Sequence, residues 1–358
     1  MTIYGQAALT NVARNQTTRD GRALSHSKQE VYTMAESRHI KFATDLVTYY
    51  SPAFWGGEGG LDDIGAAIAS GGWDPPRFWE RILDCTADAG LDGIEMTFAP
   101  GDWHSAQAAY GSTRAFASAL GDRGLEVCSG FLSTQIPGTD READFAVRAD
   151  HDQLVEMATS YAEFLHGCGA EIMVTALPLR RSRAADPPLF VDLKLAETIA
   201  DALNRMGYAT LKYGVKLAIH PEAFTVFRNS RDADLFMMLT DPTYVFLCPD
   251  TAQFSVAGSN PIEIVKRHRD RLLLTHWKDA VGPAPADVPI DPTIFARQIQ
   301  WFASVGAGVV DWPAWMRLLR DLQYTGWAVF ELDTASDPVG DLKRIKTYVE
   351  AALLPIYR

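Results

Sequence analysis

Paired cysteines, long apolar runs and a secretory leader are all missing from this chain of 358 residues. Its four cysteines are widely spaced without a CxxC pair, which favours reduced thiols over disulfides or a structural zinc site. No apolar run approaches the roughly 18–20 residues that a membrane-spanning helix needs. The N-terminal residues also lack the apolar core of a signal peptide. We therefore expect a cytoplasmic protein with no membrane partner.

Positive charge is scarce as well. The chain has 33 Lys and Arg against 45 Asp and Glu, a formal net charge of −12. Such a surface repels phosphate backbones, so we expect no nucleic-acid partner. No G-x-G-x-x-G follows the first predicted strand and no GxxxxGK[ST] occurs, which disfavours an open doubly wound nucleotide-binding sheet. What remains is an ordinary globular composition with 47% hydrophobic residues.

Eight strand-like runs alternate with longer helical segments along the chain. Four of the runs follow a glycine, at Gly90, Gly124, Gly169 and Gly214, as expected for glycines that end the preceding helices. Eight such units predict a parallel (β/α)₈ TIM barrel, an α/β fold. The runs are residues 39–46, 91–98, 125–132, 171–177, 215–221, 244–250, 272–279 and 327–333.

The predicted barrel is one domain, residues 39–358, preceded by a polar N-terminal arm or extension at residues 1–38. Two connections exceed the usual strand–helix spacing: residues 51–76 after strand 1 and residues 279–312 after strand 7. In a barrel both long βα loops would lie on the catalytic face.

Polar residues cluster at the predicted carboxyl ends of the strands, where barrels build their active sites. Strands 5 to 8 each contribute a carboxylate or an imidazole at the same level. Four convergent oxygen and nitrogen ligands on rigid strands predict one divalent metal, with Mn²⁺ favoured and Mg²⁺, Co²⁺ or Zn²⁺ as alternatives. The strand-end residues are Glu95, His220, Glu222, Asp250, His276, Lys278 and Glu331.

Four segments carry a family resemblance: CPDTAQFSVAG (248–258), THWKD (275–279), GAGVVDW (306–312) and GWAVFELD (326–333). They resemble the DTGH…AG, HxKD, GxGxVDW and G(W/Y)xxxE(L)D patterns of the xylose-isomerase-like barrels. That superfamily includes sugar phosphate isomerases/epimerases and inosose dehydratase. The resemblance covers residues 40–350 and implies metal ligands at Asp250, His276, Glu331 and one residue of His220-Pro221-Glu222.

The chain departs from the family pattern at two places. His220-Pro221-Glu222 stands where members often have Glu-Asn-His or His-Pro-His. We assign Glu222 to the metal, since a carboxylate helps to neutralise a dication, and His220 to the role of catalytic base, although the two roles could be exchanged. Lys278 is the second catalytic candidate. Gln253 replaces the His of DTGH, so a base or relay at that position is missing.

The resemblance implies metal-assisted proton abstraction next to a carbonyl. Reprotonation would then give isomerisation or epimerisation, and loss of a β-substituent would make the enzyme a lyase. Aromatic residues near strand ends favour a flat aglycone as leaving group, although they could equally seal the barrel mouth or a subunit interface. They are Tyr49, Tyr50, Phe54, Trp55, Trp73, Trp103 and Trp277. We predict Glu95, Trp55, Trp103 and Gln253 as substrate-binding residues.

The N-terminal arm, TDLVTYYSPAFWG (44–56), APGDWH (99–104) and the His-Pro-Glu segment further resemble the larger subunit of C-glycoside deglycosidases. This implies a Mn²⁺-dependent lyase that enolises 3-oxo-C-glycosides and works with a small β-rich partner subunit. A homo-oligomer is the alternative assembly. Alternative functions are a sugar isomerase/epimerase or an inosose-type dehydratase, and a non-catalytic sugar-binding subunit. The intact set of Asp250, His276 and Glu331 argues against the last.

Overall fold

The computed structural model describes residues 40–57, 74–180, 191–333 and 335–358. The predicted arm at residues 1–38, most of the insertion after strand 1 and Trp73 lie outside these ranges, so the arm stays a prediction. Within the described ranges, no helix is both long and apolar enough to cross a bilayer.

All eight predicted strands are present and pair in parallel. The strands are β1 Lys41–Asp45, β2 Gly93–Met96, β3 Glu126–Phe131, β4 Ile172–Thr175, β5 Lys216–Ile219, β6 Val245–Leu247, β7 Thr275–Trp277 and β8 Trp327–Phe330. The sheet order is β6-β5-β4-β3-β2-β1-β8-β7, and isolated parallel bridges, Leu247 with Leu272 and Asp250 with His276, join β6 to the β7 segment. The sheet therefore curls back on itself, which confirms the predicted TIM barrel.

Helices flank the sheet, and short polar caps set where many of them begin. Asp74, Asp102, Asn229 and Asp311, for example, each accept a hydrogen bond from a backbone N–H in the first turn. The helices are α1 Pro75–Asp88, α2 Trp103–Tyr110, α3 Thr113–Gly121, α4 His151–Gly167, α5 Leu193–Thr210, α6 Ser230–Leu239, α7 Thr251–Val256, α8 Pro261–Arg267, α9 Ile294–Arg297, α10 Trp312–Asp321, α11 Pro338–Tyr348 and α12 Leu354–Tyr357.

The four glycines predicted to end helices have the left-handed backbone that this role requires. Gly90, Gly124, Gly169 and Gly214 have φ angles of 74°, 70°, 81° and 72°. Such angles are costly for residues with a Cβ, so glycine fixes where the chain turns back into the next strand.

The apolar core of the described residues divides into three clusters. In the largest, apolar helix faces pack on the outside of the sheet; a second includes Val174 and a third includes Phe224. Trp277 belongs to the largest cluster: it is fully buried and its ring contacts those of Phe42 and Trp312. This corrects its expected place among aromatics that face a ligand, because alternate residues of a strand point to opposite faces.

The long connection after β7 is organised by Asp279. Its carboxylate accepts hydrogen bonds from the backbone N–H groups of Gly306, Gly308 and Val310 at 3.0–3.1 Å, and from the Trp312 indole at 2.7 Å. A Cβ at Gly308 would collide with the backbone of Ala280. The THWKD and GAGVVDW segments are thus one structural unit, which fixes the loop beside the end of β7.

Candidate metal centre

Four side chains from four adjacent strand ends converge in the barrel. His220 follows β5, Asp250 follows β6, His276 lies in β7 and Glu331 follows β8. One ligand atom from each lies within 4.8 Å of the other three, and all four residues are buried. The (β/α)₈ topology creates this convergence, because parallel strands bring their carboxyl ends to one face of the barrel.

Several polar atoms of this group lack hydrogen-bond partners among the described residues: both ring nitrogens of His220 and Oδ2 of Asp250. Buried polar atoms are rarely left unpaired, since each unmade hydrogen bond costs about 1–3 kcal/mol. Two imidazoles and two carboxylates that point at one another fit a divalent ion with nitrogen and oxygen ligands. The residues present therefore suit a divalent-metal site, as the sequence predicts for Asp250, His276 and Glu331.

The fourth position differs from the sequence-based assignment. The imidazole of His220, rather than the carboxylate of Glu222, belongs to the convergent group. Glu222 lies just outside it, with Oε1 3.4 Å from His220 Nδ1 and a side chain that is 13% exposed. His220 is the last residue before Pro221 and aims inward directly after β5, whereas Glu222 already belongs to the following turn. The geometry thus favours exchanging the two predicted roles.

Gln253 holds Glu222 in place. Its side-chain amide donates to Glu222 Oε2 at 2.5 Å and accepts from the backbone N–H of Ala223 at 2.9 Å. The side chain is almost fully buried at 1% exposure. Gln253 therefore orients the carboxylate beside the cluster, and its predicted contact with substrate stays a prediction.

Lys278 borders the other side of the cluster. Its ammonium lies 2.5 Å from Glu331 Oε1 and 2.8 Å from Asp333 Oδ2, and it sits 4.2 Å above the Phe302 ring. Burial raises the pKa of Asp333 to about 6. Burial acts in the same direction on Glu331, but the Lys278 ammonium and the neighbouring imidazoles hold the pKa of that carboxyl well below its usual value.

Glu95, in β2, borders the cluster next to His276. Its Oε2 accepts a hydrogen bond from Ser129 at 2.6 Å, and its Oε1 lies 2.9 Å from His276 Nε2. His276 Nδ1 meets Glu331 Oε2 at 3.0 Å on the opposite side. Glu95 is fully buried and its 2.9 Å approach places it behind His276, while its predicted contact with substrate stays a prediction.

Asp45, at the end of β1, is a residue that the sequence reasoning missed. It is 3% exposed and pairs in register with Glu95. Burial, with the negative charges of Glu95 and Glu331, raises the pKa of Asp45 well above its usual value. The sequence does indicate Asp45, because it is a carboxylate at the carboxyl end of a predicted strand, like the candidates on strands 5 to 8.

Most of the predicted aromatic residues pack against protein. Tyr49 and Tyr50 are buried, and Trp55 stacks on Phe78 with its indole N–H donating to the Tyr49 carbonyl at 2.8 Å. These contacts give Trp55 a packing role, and its predicted contact with substrate stays a prediction. Trp103 differs: it lines a cavity together with other rings.

The model of the xylose isomerase-like TIM barrel family matches residues 83–352, and the chain belongs to this family. A curated relative is the inosose dehydratase of Klebsiella pneumoniae, 26% identical over 292 residues, which covers 76% of this chain and 91% of the relative.

Solved structures share the fold at low sequence identity. The IolI protein with a bound zinc atom superposes with a TM-score of 0.63 at 14% identity and covers 88% of this chain and 99% of its own. The 3-keto-D-glucoside 4-epimerase from E. coli gives a TM-score of 0.60 at 14% identity, covering 87% and 100%. The relatives thus include a dehydratase and an epimerase, both enzymes.

Proposed function

We propose that this chain is a divalent-metal-dependent enzyme that enolises a keto-sugar or keto-cyclitol and then eliminates water, as an inosose-type dehydratase does. The observation that carries the proposal is the convergence of His220, Asp250, His276 and Glu331 with several of their polar atoms unpaired. The similarity to inosose dehydratase over most of both chains supports dehydration over the other outcomes. Mn²⁺ or Zn²⁺ is the proposed ion.

The chemistry divides between the ion and the surrounding side chains. A divalent ion in this site supplies Lewis-acid stabilisation of the oxygen that becomes negative on enolisation. Glu222 is the proposed base: it is the partly exposed carboxylate next to the cluster, and Gln253 fixes one of its oxygens. It removes the proton next to the carbonyl, and the C–H electron pair forms the enolate double bond.

The second half of the reaction decides the product. In a dehydration the enolate electrons expel the β-hydroxyl, which takes up a proton and leaves as water, so that an unsaturated ketone remains. Lys278, held between Glu331 and Asp333, places a positive charge and a proton source beside the reacting atoms. Return of a proton to the opposite face of the same carbon would instead give an epimer, and protonation of the neighbouring carbon of the enediol would give an isomer.

A lyase acting on 3-oxo-C-glycosides is the second candidate. It shares the enolisation step, but a carbon-linked aglycone leaves in place of water. The placement of Phe131 beside His220, with ring centroids 5.5 Å apart, favours it, because an aromatic wall next to the cluster suits a flat leaving group. A small β-rich partner subunit belongs to this candidate. A non-catalytic sugar-binding role would leave the unpaired ligand set without a purpose.

Solvent deuterium exchange tests the proposal and separates its outcomes. Metal-loaded protein in D₂O is offered scyllo-inosose, free keto-sugars and a 3-oxo-C-glucoside, with products followed by mass spectrometry. We expect metal-dependent loss of water from the inosose. Deuterium incorporation without loss of water indicates an epimerase or isomerase, and release of aglycone indicates the lyase. Absence of exchange on every substrate, with and without added metal, contradicts the proposal.

A further inference from the structure

The third apolar cluster of the core joins the long connection after β7 to the loops around the proposed metal centre. Leu179 follows β4, Phe224 follows β5, Val256 lies in α7 after β6, and Trp301 and Phe302 belong to the long connection. Parallel strands bring their carboxyl ends to one face of a barrel, so these segments meet at the catalytic face. Part of the long connection is therefore packed against the loops that carry the proposed catalytic groups.

The end of the long connection is fixed next to β7. The chain returns there through a short antiparallel ladder that pairs Asp279–Ala280 with Phe302–Ala303. Beside the ladder, the backbone N–H of Val281 donates to the carbonyl of Trp301 at 2.9 Å. Since Lys278 directly precedes the ladder, these hydrogen bonds bring the end of the connection beside this lysine.

Phe302 covers the ammonium of Lys278. The ring centroid lies 4.2 Å from Nζ, and the lysine side chain is 2% exposed. The carboxylates of Glu331 and Asp333 contact the same ammonium. An ammonium has only three N–H groups, and its attraction to a ring strengthens where water is excluded. Phe302 therefore limits the directions in which the ammonium can point.

Trp301 packs on the turn that carries Glu222. Its ring lies 5.4 Å from that of Phe224, which stands two residues after Glu222 and is 4% exposed. Backbone hydrogen bonds close the turn: the N–H of Thr225 donates to the Glu222 carbonyl at 3.0 Å, and the N–H of Glu222 donates to the Phe227 carbonyl at 3.2 Å. A smaller side chain in place of Trp301 would leave space into which this turn can shift.

We propose that Trp301 and Phe302 are positioning residues, which together fix the proposed base and the proposed proton donor relative to each other. Trp301 acts through the turn that carries Glu222, and Phe302 acts through the ammonium of Lys278. The inference rests on the proposed enolising function, and it assigns each of the two residues to one half of the reaction.

The two halves can be measured separately in D₂O. Glu222 removes the proton next to the carbonyl, and the C–H electron pair forms the enolate. The enolate electrons then expel the β-hydroxyl, which takes a proton from Lys278 and leaves as water, and the lysine regains its proton from solvent. An enolate that keeps its hydroxyl is reprotonated at carbon. Once the proton on Glu222 has exchanged with solvent, this return gives deuterated ketone, so the ratio of deuterated ketone to dehydrated product reports the second half.

Metal-loaded full-length protein is incubated with scyllo-inosose in D₂O, and both products are measured by mass spectrometry. Phe302→Leu removes the ring and keeps an apolar side chain. We expect it to raise the ratio of deuterated ketone to dehydrated product at least about tenfold, because a misplaced proton donor contributes less to the loss of hydroxyl.

Trp301→Leu should act on the first half instead. We expect it to lower the formation of both products by about 10–100-fold and to leave their ratio within about threefold, since a small displacement of the base slows every later step. Trp301→Phe, which keeps a ring against Phe224, should restore most of the rate. A ratio that rises in Trp301→Leu as it does in Phe302→Leu would overturn the assignment of the two residues to separate halves.

Phe295→Leu is the matched control, because Phe295 lies in α9 of the same connection and is 44% exposed. It should change neither the rates nor the ratio. Calorimetry on all variants should show metal affinity lowered by less than about tenfold, the lower limit for residues directly behind a ligand. If Phe302→Leu does not fold, Phe302→Met replaces it, since a flexible methionine side chain can fill the same space.

The ammonium of Lys278 gives a readout that requires no turnover. In protein labelled with ¹⁵N-lysine, its NMR signal is assigned by its loss in Lys278→Met. Phe302→Leu should shift or abolish this signal, because the ring current disappears and the ammonium is less restricted, whereas Phe295→Leu should leave it in place. An unchanged signal or an unchanged product ratio in Phe302→Leu would overturn the proposal, as would equal changes in Phe295→Leu.

Failure of the proposed function looks different. In that case the unmodified protein exchanges no proton of the inosose with solvent, whereas the change of the Lys278 signal in Phe302→Leu persists.

Discussion

Carboxylates end strands on two sides of this barrel, and their surroundings differ. On one side, Asp250 and Glu331 meet two imidazoles, and several polar atoms have no hydrogen-bond partner among the described residues. On the other side, Asp45 accepts from the backbone N–H of Val47 at 2.6 Å and Glu95 accepts from Ser129. Position at a strand end is the same in both cases. What differs is the partner of each carboxylate. Asp250 and Glu331 lie in the convergent group with two imidazoles, whereas one oxygen of Asp45 and one of Glu95 accept from a backbone N–H and a hydroxyl.

The largest effect on metal affinity is expected from a substitution of a proposed metal ligand, Asp250. Asp250→Asn keeps the side-chain oxygen that accepts from the Gln253 backbone N–H at 2.6 Å, so α7 retains its cap. It removes a negative charge from the site. We expect metal affinity to fall more than about 100-fold, beyond the loss typical of residues behind the ligands, and exchange activity to disappear.

Metal affinity is measured by calorimetry and the free energy of unfolding by urea titration of the metal-free protein. The free energy of unfolding should change by less than about 1 kcal/mol, because Asp250→Asn keeps the size of the side chain and the cap of α7. Retention of metal affinity in Asp250→Asn would show that the unpaired oxygen does not mark a ligand.

The next prediction tests whether His220 binds the metal and Glu222 acts as the base. Glu222→Gln should retain metal affinity within about threefold and reduce the rate of solvent deuterium exchange by about 10²–10⁴-fold, as expected for a general base. His220→Ala should weaken metal binding first. The opposite pattern, in which Glu222→Gln loses the metal and His220→Ala keeps it, would restore the assignment made from sequence.

A smaller effect on metal affinity is expected from a substitution of Glu95, which lies behind the proposed ligand His276. Glu95→Gln should lower metal affinity by about 10–100-fold, because a carboxylate behind a metal-binding imidazole fixes the orientation and basicity of the ring. Ser129→Ala should act in the same direction with a smaller effect, since it only loosens Glu95. Glu126→Gln, an exposed position one strand over, is the control. Unchanged metal affinity in Glu95→Gln would mean that the 2.9 Å approach to His276 carries no function.

The fold was predictable because it depends on local patterns. Eight apolar runs and four helix-ending glycines are periodic signals, and each was confirmed by a strand or by a left-handed φ angle. Trp277 was misplaced because a strand sends alternate side chains to opposite faces. A three-residue strand inside a longer apolar run leaves that alternation ambiguous in the sequence.

Three of the four convergent residues of the site were predictable, since Asp250, His276 and Glu331 stand directly at strand ends. The choice between His220 and Glu222 was not, because it depends on how the chain turns after β5. The cavity at Trp103 and Tyr161 was only partly predictable. It joins loops that are distant in sequence, and nothing local marks Tyr161 on its helix as a cavity residue.

The smallest effect on metal affinity is expected from a substitution of Asp279. It is also the sharpest test of what separates a ligand from a supporting carboxylate. This carboxylate also follows β7, but both of its oxygens are occupied by loop N–H groups and the Trp312 indole. Asp279→Asn would turn one acceptor into an NH₂ group facing those donors. We expect the free energy of unfolding to fall by about 1–3 kcal/mol, with metal affinity unchanged.

Urea titration and calorimetry on the same samples separate the two quantities. Asp311→Asn is the matched control, because asparagine caps a helix as well as aspartate and the residue is exposed. If Asp279→Asn weakens metal binding as strongly as Asp250→Asn does, membership of the convergent group does not distinguish a ligand from a supporting carboxylate. In that case the loop held by Asp279 must reach the metal centre itself, through Lys278 and the ring of Phe302 that covers it.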